Sequence, residues 1–176
     1  MLSRWHVHAD DYARDIAENE NVAIQMVWDE EPARGKEWAN ELGVAFEADL
    51  DTVLSHPEID AVVVNTPTAM HKDIIIAAAE NKKHIFTEKV LALTVEDCKA
   101  IYDVIEANGV ELMVSLPRLT DKNYQHAEKA MEKGWIGKLT TFRCRFAHNG
   151  GVVQPGQTHG WLPERFLRKT RPVVER

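Results

Sequence analysis

The 176 residues predict a doubly wound α/β fold with a parallel sheet, and three observations carry that prediction. Strand-like and helix-like patterns alternate along most of the chain. Residues 59–64 are a continuous, largely β-branched run of the kind buried on both faces of a parallel sheet. Polar residues stand just after several strands, at the carboxyl edge where such sheets bind ligands.

The elements follow in order. Residues 4–18 read as an opening helix and residues 22–28 as a strand. Pro32 starts the next helix, Trp38 and Leu42 share a face of it, and Gly43 ends it. A short extended piece at 45–46 leads to a small helix at 50–55. Beyond the 59–64 strand come a helix at 68–80 and a strand at 84–87. Thr94 reads as an N-cap with Asp97 behind it, opening a helix that ends at Asn108-Gly109. Residues 110–114 form a further strand and 121–133 a further helix. Strands separated by helices of this length imply right-handed βαβ crossovers.

After Gly137 the texture changes. Residues 139–148 alternate, with Phe142, Cys144 and Phe146 on one side and Thr141, Arg143 and Arg145 on the other. That predicts a half-buried antiparallel strand opening a second, α+β domain, with an exposed edge. The boundary falls near 135, giving domains 1–135 and 136–176.

Composition excludes several functions. The apolar share of 44% and charged share of 28% are those of a globular domain. A net charge of −7 argues against a general nucleic-acid binder, which neutralises phosphates with a basic surface. Cys98 and Cys144 give neither a disulfide framework nor a metal spacing, and Cys98 shares a helical face with Ile101 and Ile105. No apolar run is long enough to span a membrane, and Arg4, His6, His8, Asp10 and Asp11 interrupt any signal peptide. A cytoplasmic protein is expected. His6 and His8, two apart on the expected helix, would face different ways, which argues against a metal pair.

The strand ends hold the candidates. Asp29 follows the 22–28 strand, where a carboxylate accepts hydrogen bonds from ribose hydroxyls or simply opens a turn. Asn65, Thr66 and Pro67 follow the 59–64 strand, with His71 one helical turn on. Glu88 and Lys89 follow the 84–87 strand. Arg34 reads as a solvated helix arginine, with a cofactor 2′-phosphate as its other partner.

Residues 60–71 (Asp-Ala-Val-Val-Val-Asn-Thr-Pro-Thr-Ala-Met-His) and 83–89 (Lys-His-Ile-Phe-Thr-Glu-Lys) resemble the Gfo/Idh/MocA family. These are the relatives of glucose–fructose oxidoreductase and inositol dehydrogenase. Their pattern is a strand, (Ala/Asn)-Thr-Pro, three residues and His, then Gly-Lys-His-Val, two residues and Glu-Lys-Pro. Residues 29–43 and 134–138 extend the likeness to most of 1–164. The resemblance implies a Rossmann-like sheet and an NAD(P)-dependent oxidoreductase acting on a sugar, cyclitol or related polyol by hydride transfer, homo-oligomeric at full length. It also implies that Asp29, Asn65, Thr66, Pro67, His71 and Glu88 face NAD or NADP. Thr66-Pro67 would lie near the nicotinamide and Glu88 beside its ribose. Lys89 would be catalytic, moving the proton of the substrate hydroxyl, and Arg118 would face the substrate. Taken without the resemblance, Lys89 also reads as a solvated loop lysine and His71 as a hydrogen-bonded helix-start residue.

Three departures from that pattern set further expectations. No G-x-G-x-x-G occurs, and Gly35 is the first glycine. The opening residues resemble the helix after such a turn, so the central strand of the order 3-2-1-4-5-6 is expected to be absent, leaving a gap between two half-sheets. Four or five lost apolar burials of about 1.5–3 kcal/mol each approach the whole stability of a domain. No saturable NADH binding below millimolar concentration is then expected. Val90 stands where the family has proline, which predicts a trans Lys89–Val90 bond, because cis before a non-proline costs about 2.5–4 kcal/mol. After Gly160-Trp-Leu-Pro163 the chain turns basic instead of continuing into a substrate domain. The chain thus reads as truncated at both ends, with a catalytically inactive remnant or a non-enzymatic binding or assembly partner as the alternative function.

Overall fold

The structure, a computed structural model, describes residues 1–145. Two compact units divide the chain at Ser115 and Leu116, whereas the change in sequence texture lies near 135. The first unit holds α1 (Ala9–Ala17), β1 (Met26–Val27), α2 (Pro32–Leu42), β2 (Ala45–Phe46) and α3 (Leu50–Ser55). It continues with β3 (Ala61–Val64), α4 (Thr68–Glu80), β4 (His84–Thr87), α5 (Val95–Asn108) and β5 (Leu112–Val114).

Every strand pairing is parallel: β1 with β2, and β3 with β4 with β5. Burial follows the β-branched pattern. Val62 and Val64 on β3 pack with Ile74, Ile75, Ala78 and Ala79 of α4 and Ile101 of α5 in the main core. A smaller cluster joins Ala9 and Ala13 of α1 to Val27, Trp38 and Ala39. Each large apolar side chain so buried contributes about 1.5–3 kcal/mol.

The central strand is not wholly missing, which corrects the sequence expectation. Leu2 bridges both Trp28 and Val64 in parallel sense. The Leu2 amide donates to Val63 O at 2.8 Å and the Asn65 amide to Leu2 O at 2.8 Å. On the other side the Ser3 amide donates to Trp28 O at 2.7 Å and the Trp28 amide to Met1 O at 3.0 Å. Residues 1–3 therefore occupy the central place in the doubly wound order, and residues 4–8 form a turn rather than the first turns of a helix. Ser3 bends the chain there with a left-handed φ of 71° and accepts the Trp5 amide on its own Oγ at 3.0 Å. The expected gap survives lower down. A groove of about 560 Å³ runs between residues 20–26 and 58–63, lined by Met1, Ile24, Met26, Ile59 and Val62 among others.

Local signals set the helix ends. Pro32 stands in the first turn of α2, and Gly43 closes that helix with φ 69°. Gly35 permits α2 to approach the sheet, since a Cβ there would lie 2.5 Å from the Phe46 ring and 2.6 Å from Asp29 Cβ. Thr94 Oγ1 accepts the Asp97 amide at 3.1 Å, as its spacing predicted.

The second unit, from Leu116, contains α6 (Pro117–Thr120) and α7 (Lys122–Glu132) among the described residues. Asp121 caps α7 by accepting the Asn123 amide at 2.9 Å, yet no residue of α7 is buried. Residues 139–145 form no strand and are exposed, with Phe142 at 73%, which corrects the expected half-buried strand. Alternation supplies an apolar edge, but a strand also needs a hydrogen-bonding neighbour, and the described part of this unit has none. The rest of that expected strand, the 160–163 segment and the basic end lie outside the described residues. Among the described residues no helix is long and apolar enough to cross a membrane.

Candidate functional site

Parallel pairing puts all the strand tips of the first unit on one edge. Val64 and Thr87 are the last partners of β3 and β4, so Asn65 and Glu88 leave the sheet side by side. The Glu88 amide donates to Val64 O at 3.3 Å and the Ser115 amide to Thr87 O at 2.8 Å. The Ser3 bond to Trp28 brings Asp29 to the same edge. Asp29, Asn65, Thr66, Pro67, His71, Glu88 and Lys89 therefore gather along one rim. Arg118 is exposed on α6 of the second unit.

Asp29, 1% exposed, is saturated by its own chain. Its Oδ1 accepts the Glu31 amide at 2.8 Å and Arg34 Nη2 at 2.7 Å. Its Oδ2 accepts the Arg4 amide at 2.9 Å and Arg34 Nε at 3.0 Å. Arg34 also pairs with Glu30 at 2.6 Å and Glu31 at 3.2 Å. The arginine is a two-pronged clamp on the strand tip, not the solvated side chain its sequence position suggested.

Asn65 and Thr66 are the opposite case. Both are fully buried, and Asn65 Nδ2, Asn65 Oδ1 and Thr66 Oγ1 have no partner among the described residues. His71, 1% exposed, joins the two middle tips. Its Nε2 lies 3.1 Å from Thr66 O and its Nδ1 lies 3.0 Å from Val90 O. Carbonyls only accept, so a ring nitrogen that bonds either tip does so through its hydrogen.

At the β4 tip, Glu88 accepts on Oε1 from the Tyr12 hydroxyl and lies 2.8 Å from His8 Nδ1. The Tyr12 hydroxyl also meets Ser115 Oγ at 2.7 Å. Burial pulls the Glu88 carboxyl upward, but the Tyr12 and His8 hydrogen bonds, with His6 and the Lys89 amide, outweigh it and hold the group below the ordinary carboxylate range. Burial, and then the bond to Glu88, push the Tyr12 hydroxyl above its ordinary value. Burial is also the leading reason that His6 sits below the ordinary imidazole range. Lys89 itself is exposed. The Lys89–Val90 bond is cis, not the trans bond expected from Val90. Beside this bond the Lys89 amide donates to Glu88 Oε2 at 3.0 Å, and the Val90 carbonyl faces His71.

The geometry on this rim agrees with what the sequence matches. A family profile described as "Oxidoreductase family, NAD-binding Rossmann fold" matches residues 6–116. The chain belongs to the Gfo/Idh/MocA family. Among curated members, it is 42% identical over 156 residues to the scyllo-inositol 2-dehydrogenase (NAD(+)) of Bacillus subtilis, covering 82% of this chain and 46% of that one. It is 29% identical over 173 residues to the inositol 2-dehydrogenase of Rhizobium meliloti, covering 92% of this chain and 52% of that one. The crystal structure of scyllo-inositol dehydrogenase from Lactobacillus casei, with bound NAD(H) and scyllo-inositol, matches with a TM-score of 0.69 at 28% identity. That match covers 77% of this chain and 41% of the other. The chain spans 36–46% of the length of the first curated relatives it matches.

The Gfo/Idh/MocA family binds NAD(P), and the rim fits that group at one place better than another. The unpartnered amide and hydroxyl of Asn65 and Thr66 suit a ligand rich in hydroxyls and amides, because each buried polar group left unpaired costs about 1–3 kcal/mol. The turn after residue 3 differs from an open anion cradle. Its Arg4, Trp5, His6, His8 and Ala9 amides all donate to acceptors of the chain itself. Sequence reasoning missed Tyr12, Ser115 and the pair His6 and His8 at this rim. The His-x-His spacing was visible, but it was assigned to a helix.

Proposed function

We propose that this chain serves an NAD(P)-dependent oxidoreductase acting on a sugar, cyclitol or related polyol by hydride transfer. One observation carries the reading: a buried, unpartnered Asn65–Thr66 pair stands beside the Glu88–Lys89 tip on the carboxyl edge of a parallel sheet. When bound, the dinucleotide supplies the hydride acceptor. Asn65 and Thr66 would hold it, with Pro67 and His71 fixing their tip. Asp29 would accept ribose hydroxyls by exchanging one of its Arg34 bonds. Glu88 would orient the neighbouring ribose. Lys89, exposed at the tip, would take and return the proton of the substrate hydroxyl, and Arg118 would orient the substrate. The substrate, a homo-oligomeric assembly and a cytoplasmic location belong to the same proposal.

The inactive alternative is favoured by the closed turn amides, so binding is the first test. Saturation-transfer NMR with NADH should show saturable transfer in the millimolar range that Asn65→Leu abolishes. Absent transfer, or transfer unchanged by that substitution, overturns the reading.

A further inference from the structure

The turn whose amides are closed carries a cluster of its own. His6 and His8 precede α1, where the chain is not helical, so both rings turn toward the β4 tip. Their centroids are 4.9 Å apart. His8 Nδ1 lies 2.8 Å and His6 Nδ1 3.5 Å from Glu88 Oε1. One ligand atom from each of the three residues falls within 4.8 Å of the others. Glu88 is 1% exposed, and among the described residues only histidines form ion pairs with it.

A second observation concerns the lone pairs. His6 Nδ1 accepts the His8 amide at 3.3 Å, so it carries no hydrogen. That long bond occupies the one lone pair of the nitrogen, so ligation through Nδ1 releases the His8 amide.

We propose that His6, His8 and Glu88 form a binding site for a divalent transition ion of the zinc type. The donor set selects this class: imidazole with carboxylate suits zinc, cobalt or iron, whereas magnesium and calcium take oxygen ligands. Metal–ligand distances of about 2.0–2.2 Å put tetrahedral ligand atoms about 3.3–3.6 Å apart. The His6–Glu88 separation already matches, and the His8–Glu88 contact opens slightly on binding. Tyr12, donating to Glu88 with Ser115 behind it, is the orienting partner that such carboxylate ligands have. Three protein ligands leave a fourth position for water or a substrate oxygen, and the 45% exposure of the His8 side chain gives it a route to solvent.

The test uses the whole chain free of dinucleotide, so its outcome is separate from that of the oxidoreductase reading. Titration with Co2+ should give a saturable visible ligand-field spectrum at one ion per chain, displaced by Zn2+. His8→Gln and Glu88→Gln should each weaken binding by more than about 100-fold and Tyr12→Phe by about tenfold, while His126→Gln in the second unit changes nothing. No ligand-field spectrum, or an unchanged one in His8→Gln, overturns the site. If circular dichroism shows that the variants fail to fold, the Cu2+ electron spin-echo spectrum of the unaltered chain decides. Coupling to two imidazoles supports the proposal, and coupling to one or none overturns it.

Discussion

Asp29 and Asn65 leave the strands on either side of the Leu2 bridge, at 1% and 0% exposure, yet their side chains are bonded in opposite ways. Every bonding direction of the Asp29 carboxylate is filled by Arg34 and two backbone amides. The Asn65 side chain has no partner among the described residues on either of its polar atoms. Burial alone therefore does not separate a structural polar residue from a ligand-binding one. The count of filled bonds is what differs: Asp29 is fully bonded by the chain, and the polar atoms of Asn65 are left open among the described residues.

Four substitutions test this contrast by urea unfolding, from the largest effect to the smallest. Arg34→Met strands a buried carboxylate and should remove about 3 kcal/mol, the low end of the range for a broken buried pair because Arg34 is partly exposed. A loss near zero would show that the clamp is ornamental. His71→Ala deletes the ring between the β3 and β4 tips and should cost about 2 kcal/mol, through a small cavity and a lost hydrogen bond. Thr94→Ala, remote from both tips, sets the scale of an ordinary cap at about 1 kcal/mol. Asn65→Leu should lie within about 0.5 kcal/mol of the parent or gain stability, since it removes unsatisfied groups without breaking a bond. A large loss there would mean that Asn65 is a structural residue like Asp29, and the contrast would collapse.

Much of the fold was legible because its signals are local. The Thr94 cap, the Pro32 and Gly43 boundaries and the β-branched β3 depend on residues a few positions apart, and the structure bears them out. The central strand was not legible, because three residues carry no period and the partners of Leu2, Trp28 and Val64, stand far along the sequence. Alternation over 139–145 misled for the converse reason, as a pattern can persist without a neighbour to pair with. The placing of the tips on one rim followed from parallel pairing. The partners of Glu88 did not, since Tyr12 and His8 reach it across 76 and 80 positions. Arg34 was misjudged because a helix position says nothing of what its guanidinium can reach.

The Leu2 bridge has a consequence for how the first unit breathes. Amide hydrogens exchange fastest where the backbone is exposed and unbonded. Here the Leu2 and Ser3 amides are locked between both half-sheets, so deuterium should enter them among the last, well after the exposed residues 18–21. Opening residues 1–3 breaks the bridges to Trp28 and Val64 together, which ties the Trp28 and Asn65 tips to a single event.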